Sequence, residues 1–219
     1  MLRESTCVVC GKPSVLGFTH SCCLGALNPE RLISVFNYEG AVRSAILASK
    51  FAGKTFSYLE YLCNLSAPLV KSSYACIPKT CRSKVLAVPI PLSKKRYAER
   101  GFNQAEIIAK MFAKTLEVGC TTNLLVKSLE TVDQATTATK SDRKKNVKSI
   151  FAVSEKFVDL KAKMLFDPSS LDIILIDDVC TTGATLLSAT LVLKEFGFRH
   201  VWCVTIAKTP ALEEYYYNI

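Results

Sequence analysis

The sequence lacks any long apolar run. A helix that spans a bilayer needs about 18 or more consecutive apolar residues, and no segment of the 219 residues approaches that length. The first residues carry charge and lack the apolar stretch of a secretory leader. A protein with a membrane-spanning helix is therefore excluded, and we expect a soluble, cytoplasmic protein without membrane insertion.

Acidic residues are scarce relative to basic ones. The chain has 28 Lys and Arg against 19 Asp and Glu, which gives a net charge of +9. Such a surplus favours polyanionic partners, such as phosphorylated substrates, nucleic acid or an acidic membrane surface. A solvated basic surface accounts for the charge equally well, so charge alone does not select among these classes.

Internal repeats are absent as well, and the composition fits one ordinary domain with a small appendage. Cysteine, in contrast, is abundant: the chain has ten, and four of them fall within residues 7–23. In a chain without a secretory leader, such a cluster favours metal binding over disulfides. We therefore divide the chain into a Cys/His-rich knuckle over residues 1–27 and a larger domain over residues 28–219.

The larger domain has the pattern of an α/β fold. Residues 85–88 and 172–176 are short apolar runs of the buried-strand type, and residues 184–196 and 199–207 read as a helix and a further strand. A strand, a helix and a strand in close succession predict a βαβ unit with a parallel sheet. Further helices are expected over 42–50, over 56–70 and after Asn103, and Asn28-Pro29-Glu30 resembles a helix start.

The residues with the clearest chemistry follow the strand over 172–176. Asp177 and Asp178 come at its carboxyl end, where parallel sheets bind ligands, and residues 181–185 read Thr-Thr-Gly-Ala-Thr. Consecutive backbone N–H groups at the start of a helix cradle an anion, and the helix dipole favours its charge. Two carboxylates beside a phosphate cradle suit a phosphorylated sugar with adjacent hydroxyls. An N-capped helix after a buried strand would explain only one Asp and one Thr.

This segment resembles the phosphoribosyl pyrophosphate motif of type I phosphoribosyltransferases, in which apolar residues precede two acids and a Thr-Thr-Gly-Ala/Ser-Thr loop. The resemblance implies that residues 28–219 adopt the type I phosphoribosyltransferase fold, with a central, mostly parallel sheet flanked by helices. It also implies that Asp177 and Asp178 hold the ribose 2- and 3-hydroxyls. The residues implied to hold the 5-phosphate are Thr181, Thr182, Gly183, Ala184 and Thr185.

A second block narrows the resemblance to the ComF family of ComFC-like competence proteins. It comprises Val88-Pro-Ile-Pro-Leu92, then Arg96, then Glu99-Arg-Gly-Phe-Asn-Gln-Ala105. In related transferases the loop after this strand holds the pyrophosphate, so Arg96 and Arg100 are candidates for that role. Arg presents a planar fork of donors to phosphate oxygens. The alternative is that both are surface arginines that cap neighbouring elements.

The segment from Gln134 to Phe151 is similar to the mobile loop of the same family, which closes over the pyrophosphate and excludes water. By that resemblance Arg143 is a candidate catalytic residue, with Lys145 beside it. Residues 135–139, Ala-Thr-Thr-Ala-Thr, replace a stretch that usually carries Leu and Arg. This departure puts catalysis in doubt more than substrate binding.

The family also carries a zinc knuckle, and the sequence has its first half-site in Cys7 and Cys10, because two thiolates two residues apart can bind one metal. The second half is less regular. When Cys23 is aligned with the last cysteine of the family pattern, His20 occupies the position of the family's third cysteine. A structural site of Cys7, Cys10, His20 and Cys23 follows, with Cys22 as the alternative to His20 and a metal-free knuckle as the other alternative.

Together these resemblances imply a protein that binds phosphoribosyl pyrophosphate with Mg²⁺. Its activity would be that of a phosphoribosyltransferase, a glycosyltransferase of pentosyl groups, with an unassigned acceptor and a role in DNA uptake during competence. The alternative is a non-catalytic accessory protein that binds single-stranded DNA and other competence proteins. A transcriptional regulator of the same fold ranks lower, because the sequence has no helix-turn-helix segment.

Overall fold

The computed structural model of the chain describes residues 5–51, 56–77, 84–127 and 150–210. Its strands are β1 (Arg31–Asn37), β2 (Val85–Pro89), β3 (Gly119–Cys120), β4 (Leu125–Lys127), β5 (Phe151–Val153), β6 (Asp172–Cys180) and β7 (Val201–Lys208). Five of them form one sheet in the order β1-β7-β6-β2-β3, and every pairing in this sheet is parallel. The strands β4 and β5 pair antiparallel as a separate ribbon.

Helices cover both faces of the sheet. The described helices are α1 (Gly40–Phe51), α2 (Ser57–Ala75), α3 (Lys94–Arg100), α4 (Gln104–Leu116), α5 (Glu155–Ala162) and α6 (Ala184–Phe196). On one face, α1, α2 and α4 contribute to one apolar cluster, and on the other α6 and the β4–β5 ribbon contribute to a second. Coverage on both sides explains why the central strands read as continuous apolar runs.

The central strand β6 contributes side chains to both apolar clusters. Ile174 and Ile176 belong to the cluster with α1, α2 and α4, whereas Ile173 and Leu175 belong to the cluster with α6. Side chains of a strand alternate between its faces, so a strand buried on both sides must be apolar throughout. β6, α6 and β7 form the predicted βαβ unit, and β6 pairs with β7 in parallel.

The helix α4 begins at a well-formed cap that also fixes the loop after β2. The Asn103 side-chain oxygen accepts a hydrogen bond from the Ala105 backbone N–H at 3.1 Å, as an N-cap should. Its side-chain amide donates to the Ile90 carbonyl at 2.9 Å. One side chain therefore joins the start of α4 to the carboxyl end of β2, and the short helix α3 lies on the connection between them.

The predicted fold class, an α/β domain with a central parallel sheet, is confirmed. The predicted helix start at Asn28-Pro29-Glu30 is wrong, because the chain enters β1 instead, and the Glu30 N–H donates to the Val201 carbonyl at 3.1 Å. Sheet pairing here outweighs a local cap signal. The helices α3 and α5 were not predicted, and the boundary after residue 27 stays a prediction. Among the described helices, none has the length and apolar character needed to cross a bilayer.

Candidate functional site

The candidate site is a cleft of about 140 Å³ at the carboxyl ends of β2 and β6. Parallel strands end at the same edge of a sheet, so the loops that follow them meet there. The cleft brings together residues from six parts of the chain: Lys50, Ile90, Pro91, Leu92, Arg96, Arg100, Asn103, Gln104, Ala105, Lys127, Asp177, Asp178 and Thr185. The cleft therefore contains the predicted acid pair, both predicted arginines and the last threonine of the predicted phosphate loop.

The acid pair has a cationic partner that sequence reasoning did not find. Lys50 Nζ, at the end of α1, lies 2.6 Å from Asp178 Oδ2, and the two side chains are only 17% and 14% exposed. The Asp178 backbone N–H donates to Asp177 Oδ1 at 2.9 Å. The two carboxylates are thus held by different groups, one by an ammonium and the other by a backbone amide.

This environment alters the ionisation of Asp177. Burial raises its pKa well above 3.8, and the negative charge of Asp178 raises it further. The backbone N–H of Asp178 and the charge of Lys50 oppose that rise without cancelling it. A carboxyl with a raised pKa binds a proton more tightly. A cation that binds to this carboxyl must therefore displace the proton.

The predicted phosphate loop lies between β6 and α6. Its threonines and Ala184 are exposed, whereas Gly183 is buried in the left-handed backbone region at φ +81°. The Ala184 N–H reaches the Thr182 hydroxyl oxygen at 3.3 Å. Exposed threonine hydroxyls therefore lie at the start of a 13-residue helix, where the helix dipole favours an anion.

The opposite wall of the cleft is basic. Arg96 and Arg100 lie on α3, where Arg96 is exposed and Arg100 is half-buried. Arg100 donates to the side-chain oxygen of Gln104 at 3.2 Å, which fixes the direction of its guanidinium. Gln104 is only 2% exposed, and its Nε2 has no hydrogen-bond partner among the described residues. An orphan buried donor is unusual, and here it lines the wall that is predicted to meet pyrophosphate.

Lys127, at the end of β4, is a second cation that sequence reasoning missed. Burial lowers its pKa, and so does the positive charge of Arg96, while Asp177 raises it. Neither Lys127 nor Lys50 belongs to a recognisable motif, and only the folded chain brings them to the acid pair. The predicted loop residues Arg143 and Lys145 lie outside the described residues.

A second chemical centre lies in the knuckle, where Cys7, Cys10, His20 and Cys23 form a possible metal site. One ligand atom from each lies within 4.8 Å of the others. A tetrahedral zinc ion with Zn–S bonds of about 2.3 Å places its ligand atoms about 3.8 Å apart, so these residues fit the metal with little movement. Burial opposes ionisation of Cys7, but hydrogen bonds from backbone groups of Cys10, His20 and Val9 outweigh it and lower its pKa to about 7.

The ring of His20 is oriented as a metal ligand would be. Its Nε2 lies 2.9 Å from the Pro13 carbonyl, and its Nδ1 lies 3.3 Å from Cys10 Sγ. A carbonyl accepts only, so Nε2 carries the proton and Nδ1 offers its lone pair to the cluster. Cys22 lies outside the four-ligand group, with its sulfur 3.9 Å from that of Cys23. The geometry thus favours His20 over Cys22.

Comparison with known proteins identifies the family. The family model described as the phosphoribosyl transferase domain matches residues 98–217, more than half of the chain. The chain therefore belongs to the phosphoribosyl transferase domain family, and the predicted resemblance to phosphoribosyltransferases is confirmed. The match includes the acid pair, the phosphate loop and Arg100.

Three relatives are named as competence or DNA utilization proteins. The chain is 29% identical over 198 residues to Competence protein ComFC of Bacillus subtilis, covering 87% of this chain and 72% of that protein. It is 25% identical over 211 residues to DNA utilization protein YhgH of Salmonella typhimurium, covering 92% and 84%. It is 26% identical over 114 residues to Competence protein F of Haemophilus influenzae, covering 52% of this chain and only 46% of that protein. The ComF resemblance is confirmed.

Proposed function

We propose that this member of the phosphoribosyl transferase domain family binds phosphoribosyl pyrophosphate in the cleft and transfers its phosphoribosyl group to an acceptor. One observation carries the proposal: the acid pair, the phosphate loop and a cationic wall meet at one edge of the sheet. A ribose with a phosphate at one end and a pyrophosphate at the other needs these three groups in that arrangement. The relatives' names, Competence protein ComFC and DNA utilization protein YhgH, support a role in competence or DNA utilization.

Each part of the cleft has a role in this proposal. The N–H groups and hydroxyls of residues 181–185 bind the 5-phosphate, and Asp177 and Asp178 accept hydrogen bonds from the ribose hydroxyls. Arg96, Arg100 and Lys127 bind the pyrophosphate, whose charge needs several cations. By the family resemblance, Arg143 is a further candidate for binding the pyrophosphate.

Magnesium suits the same cleft, because Asp177 and Asp178 offer the carboxylate oxygens that this ion prefers. When bound, Mg²⁺ would neutralise charge on the pyrophosphate and make it a better leaving group. Lys50 Nζ, 2.6 Å from Asp178 Oδ2, holds that carboxylate in position for this role. The residues therefore fit both the ion and the sugar.

The reaction itself needs little covalent work from the protein. The bond between ribose C1 and the pyrophosphate oxygen breaks, and the pyrophosphate leaves with the bonding electrons. An acceptor nucleophile forms the new bond to C1 and releases its proton to solvent or to pyrophosphate. The cleft contributes by holding the reactants in line and by placing cations where negative charge develops.

The test is a calorimetric titration of phosphoribosyl pyrophosphate and Mg²⁺ into the intact protein and into an Asp177→Asn/Asp178→Asn double variant. We expect one site per chain in the intact protein and no measurable binding in the variant. Circular dichroism of both proteins serves as the control for folding. Absence of binding to the intact, folded protein would overturn the proposal, and binding would justify a screen of acceptors by pyrophosphate release.

In the knuckle, we propose zinc with a structural role. Four protein ligands leave no open position for substrate, and the spacing of the four ligand atoms supports this assignment. Metal analysis of the purified protein should find one zinc per chain. Protein that contains no zinc when purified from zinc-supplemented cells would contradict it.

Single-stranded DNA is a second candidate ligand, supported by the net charge of +9 and by the relatives' names. Fluorescence polarisation with a labelled oligonucleotide at two salt concentrations tests it. If several lysines and arginines contact the DNA phosphates, the affinity for the oligonucleotide should fall steeply as the salt concentration rises. No binding at low salt would remove DNA from the list of ligands and leave the cleft's chemistry unaffected.

A further inference from the structure

The knuckle and the phosphate loop touch each other. Val8 lies in the short turn between two metal-ligand candidates, Cys7 and Cys10, and is only 3% exposed. Its side chain belongs to the same apolar cluster as Cys180 and Leu186, which flank the phosphate loop on either side. The turn between Cys7 and Cys10 and the residues that flank the loop therefore pack in one apolar cluster.

The contact is closest at Gly183. A Cβ atom built on this glycine would stand 2.9 Å from the Val8 carbonyl oxygen and 3.1 Å from Val8 Cγ2. Real Cβ atoms rarely come so near, so the loop backbone lies directly against the turn. Burial of Gly183 between the exposed residues Thr182 and Ala184 has the same origin.

A second connection reaches the other end of the loop. Lys208 Nζ donates to the Thr6 hydroxyl oxygen, one residue before Cys7. Lys208 pairs with Cys180 across the β6–β7 ladder, and the Thr209 N–H donates to the Cys180 carbonyl at 3.0 Å. The knuckle therefore contacts the strand ends where the loop begins and the glycine where it turns into α6.

The turn itself has a defined shape. The Gly11 N–H donates to the Cys7 carbonyl at 2.9 Å, and the Cys7 N–H donates to the Lys12 carbonyl at 2.9 Å. A metal bound by Cys7 and Cys10 would fix both ends of this turn, and Val8 would pass the constraint to Gly183. Anion sites built from N–H groups work best when those groups are held in place before the ligand arrives.

We propose that the Cys7–Cys10 turn is the supporting wall of the phosphate loop, with Val8 as a positioning residue that makes loop order depend on metal in the knuckle. The part of this inference that concerns phosphate affinity rests on the proposed function. The dependence of loop order on Val8 and on the metal is a property of the ligand-free chain. Loss of the metal should therefore loosen the loop before it unfolds the sheet.

Hydrogen exchange of the ligand-free, zinc-loaded full chain tests this directly. In Val8→Ala, backbone amides of residues 181–187 should exchange about tenfold faster, since the Cγ2 methyl that lies against Gly183 is lost. The matched control is Val9→Ala, the same change in the same turn at a residue that packs at the edge of the same cluster but supplies none of the three atoms nearest to Gly183. It should change loop exchange much less than Val8→Ala does. Amides of β6 should stay protected in both variants, and both should keep one zinc per chain.

A second measurement uses the unaltered chain. Removal of zinc with a strong chelator under reducing conditions should speed exchange of residues 181–187 to the Val8→Ala level, while β6 stays protected. Equal loop exchange in Val8→Ala and Val9→Ala would overturn the proposal, and so would a loop that keeps its protection without zinc. If chelation unfolds the whole chain, β6 exchanges as well, and the comparison of the two variants decides.

Titration of phosphoribosyl pyrophosphate into the same proteins separates this inference from the proposed function. We expect affinity to fall about tenfold in Val8→Ala and much less in Val9→Ala. A chain whose loop exchange responds to Val8 but which binds no phosphoribosyl pyrophosphate would support the wall and refute the proposed function. Equal affinity in the two variants would refute the effect of Val8 on phosphate binding and leave the proposed function standing.

Discussion

The two halves of the cleft differ in how the chain supplies their residues. The acid pair and the phosphate loop come from one continuous segment, residues 177–185, which joins β6 to α6. The cations come from separate elements: Lys50 from α1, Arg96 and Arg100 from α3, and Lys127 from β4. A contiguous half keeps its geometry through local backbone structure, whereas an assembled half depends on the packing of the whole domain. Changes in the two halves should therefore differ in effect.

The largest effect is expected in the contiguous half. Asp177→Asn/Asp178→Asn should weaken binding of phosphoribosyl pyrophosphate by about 100-fold or more, because charge-assisted hydrogen bonds to the ribose hydroxyls are lost. The same titration with Thr121→Val, a change outside the cleft lining, is the control. Binding that survives the double substitution would mean that the ribose does not lie against this pair.

Asp177→Asn alone should stabilise the ligand-free protein. Its folded pKa is raised by burial and by Asp178, so the ionised carboxyl opposes folding and this cost is present when the pH lies above that raised pKa. Removing the charge should raise the midpoint of thermal unfolding at neutral pH by about 3 °C. A lower midpoint would show that the carboxylate is well accommodated, and would contradict the argument from burial.

Much of the contiguous half could be predicted from sequence, and little of the assembled half could. Two acids followed by Thr-Thr-Gly-Ala-Thr indicate a phosphate and sugar site within one short segment. The buried strand before them predicts that the segment lies at the edge of the sheet. Lys50 ends an ordinary amphipathic helix, and nothing near it in sequence points to Asp178. The cluster of Cys7, Cys10, His20 and Cys23 lies between these cases. The sequence predicts His20 as the third ligand with Cys22 as the alternative, and the contact of His20 with the Pro13 carbonyl favours His20.

A tenfold effect is expected in the assembled half. Lys50→Met keeps most of the apolar stem and removes the cation that pairs with Asp178 at 2.6 Å, so affinity for phosphoribosyl pyrophosphate should fall about tenfold. Lys110→Met, a lysine exposed on α4 away from the cleft, is the matched control and should bind as the intact protein does. If both lysine variants bind equally well, Lys50 is a structural partner only.

A smaller, pH-dependent effect should follow from Asp177. Below its raised pKa this carboxyl is protonated and competes poorly for Mg²⁺ and ribose, so affinity should be lost on acidification and regained as pH rises through that pKa. Titrations across a pH series in the intact protein and in Asp177→Asn separate this from ionisation of the ligand's own phosphates. Identical pH profiles of affinity in the two proteins would exclude Asp177 as the source of the pH dependence.

The smallest effect is expected at Cys22. Cys22→Ser should keep one zinc per chain and leave ligand affinity unchanged, because Cys22 lies outside the four-ligand group. Cys10→Ser should lose the zinc and, through the Val8 contact with Gly183, weaken phosphate binding several-fold. Metal analysis and titration of both variants provide the comparison, and loss of zinc from Cys22→Ser would reverse the assignment of His20.

The most direct measurement of the central claim is ³¹P NMR of phosphoribosyl pyrophosphate and Mg²⁺ with the protein, since the 5-phosphate and the two pyrophosphate phosphorus atoms give separate signals. We predict that all three signals shift on binding to the intact chain. In Lys127→Met at saturating ligand, the 5-phosphate signal should keep its bound shift while the pyrophosphate signals move. Signals that stay at their free positions with the intact, folded protein would show that the cleft does not bind phosphoribosyl pyrophosphate.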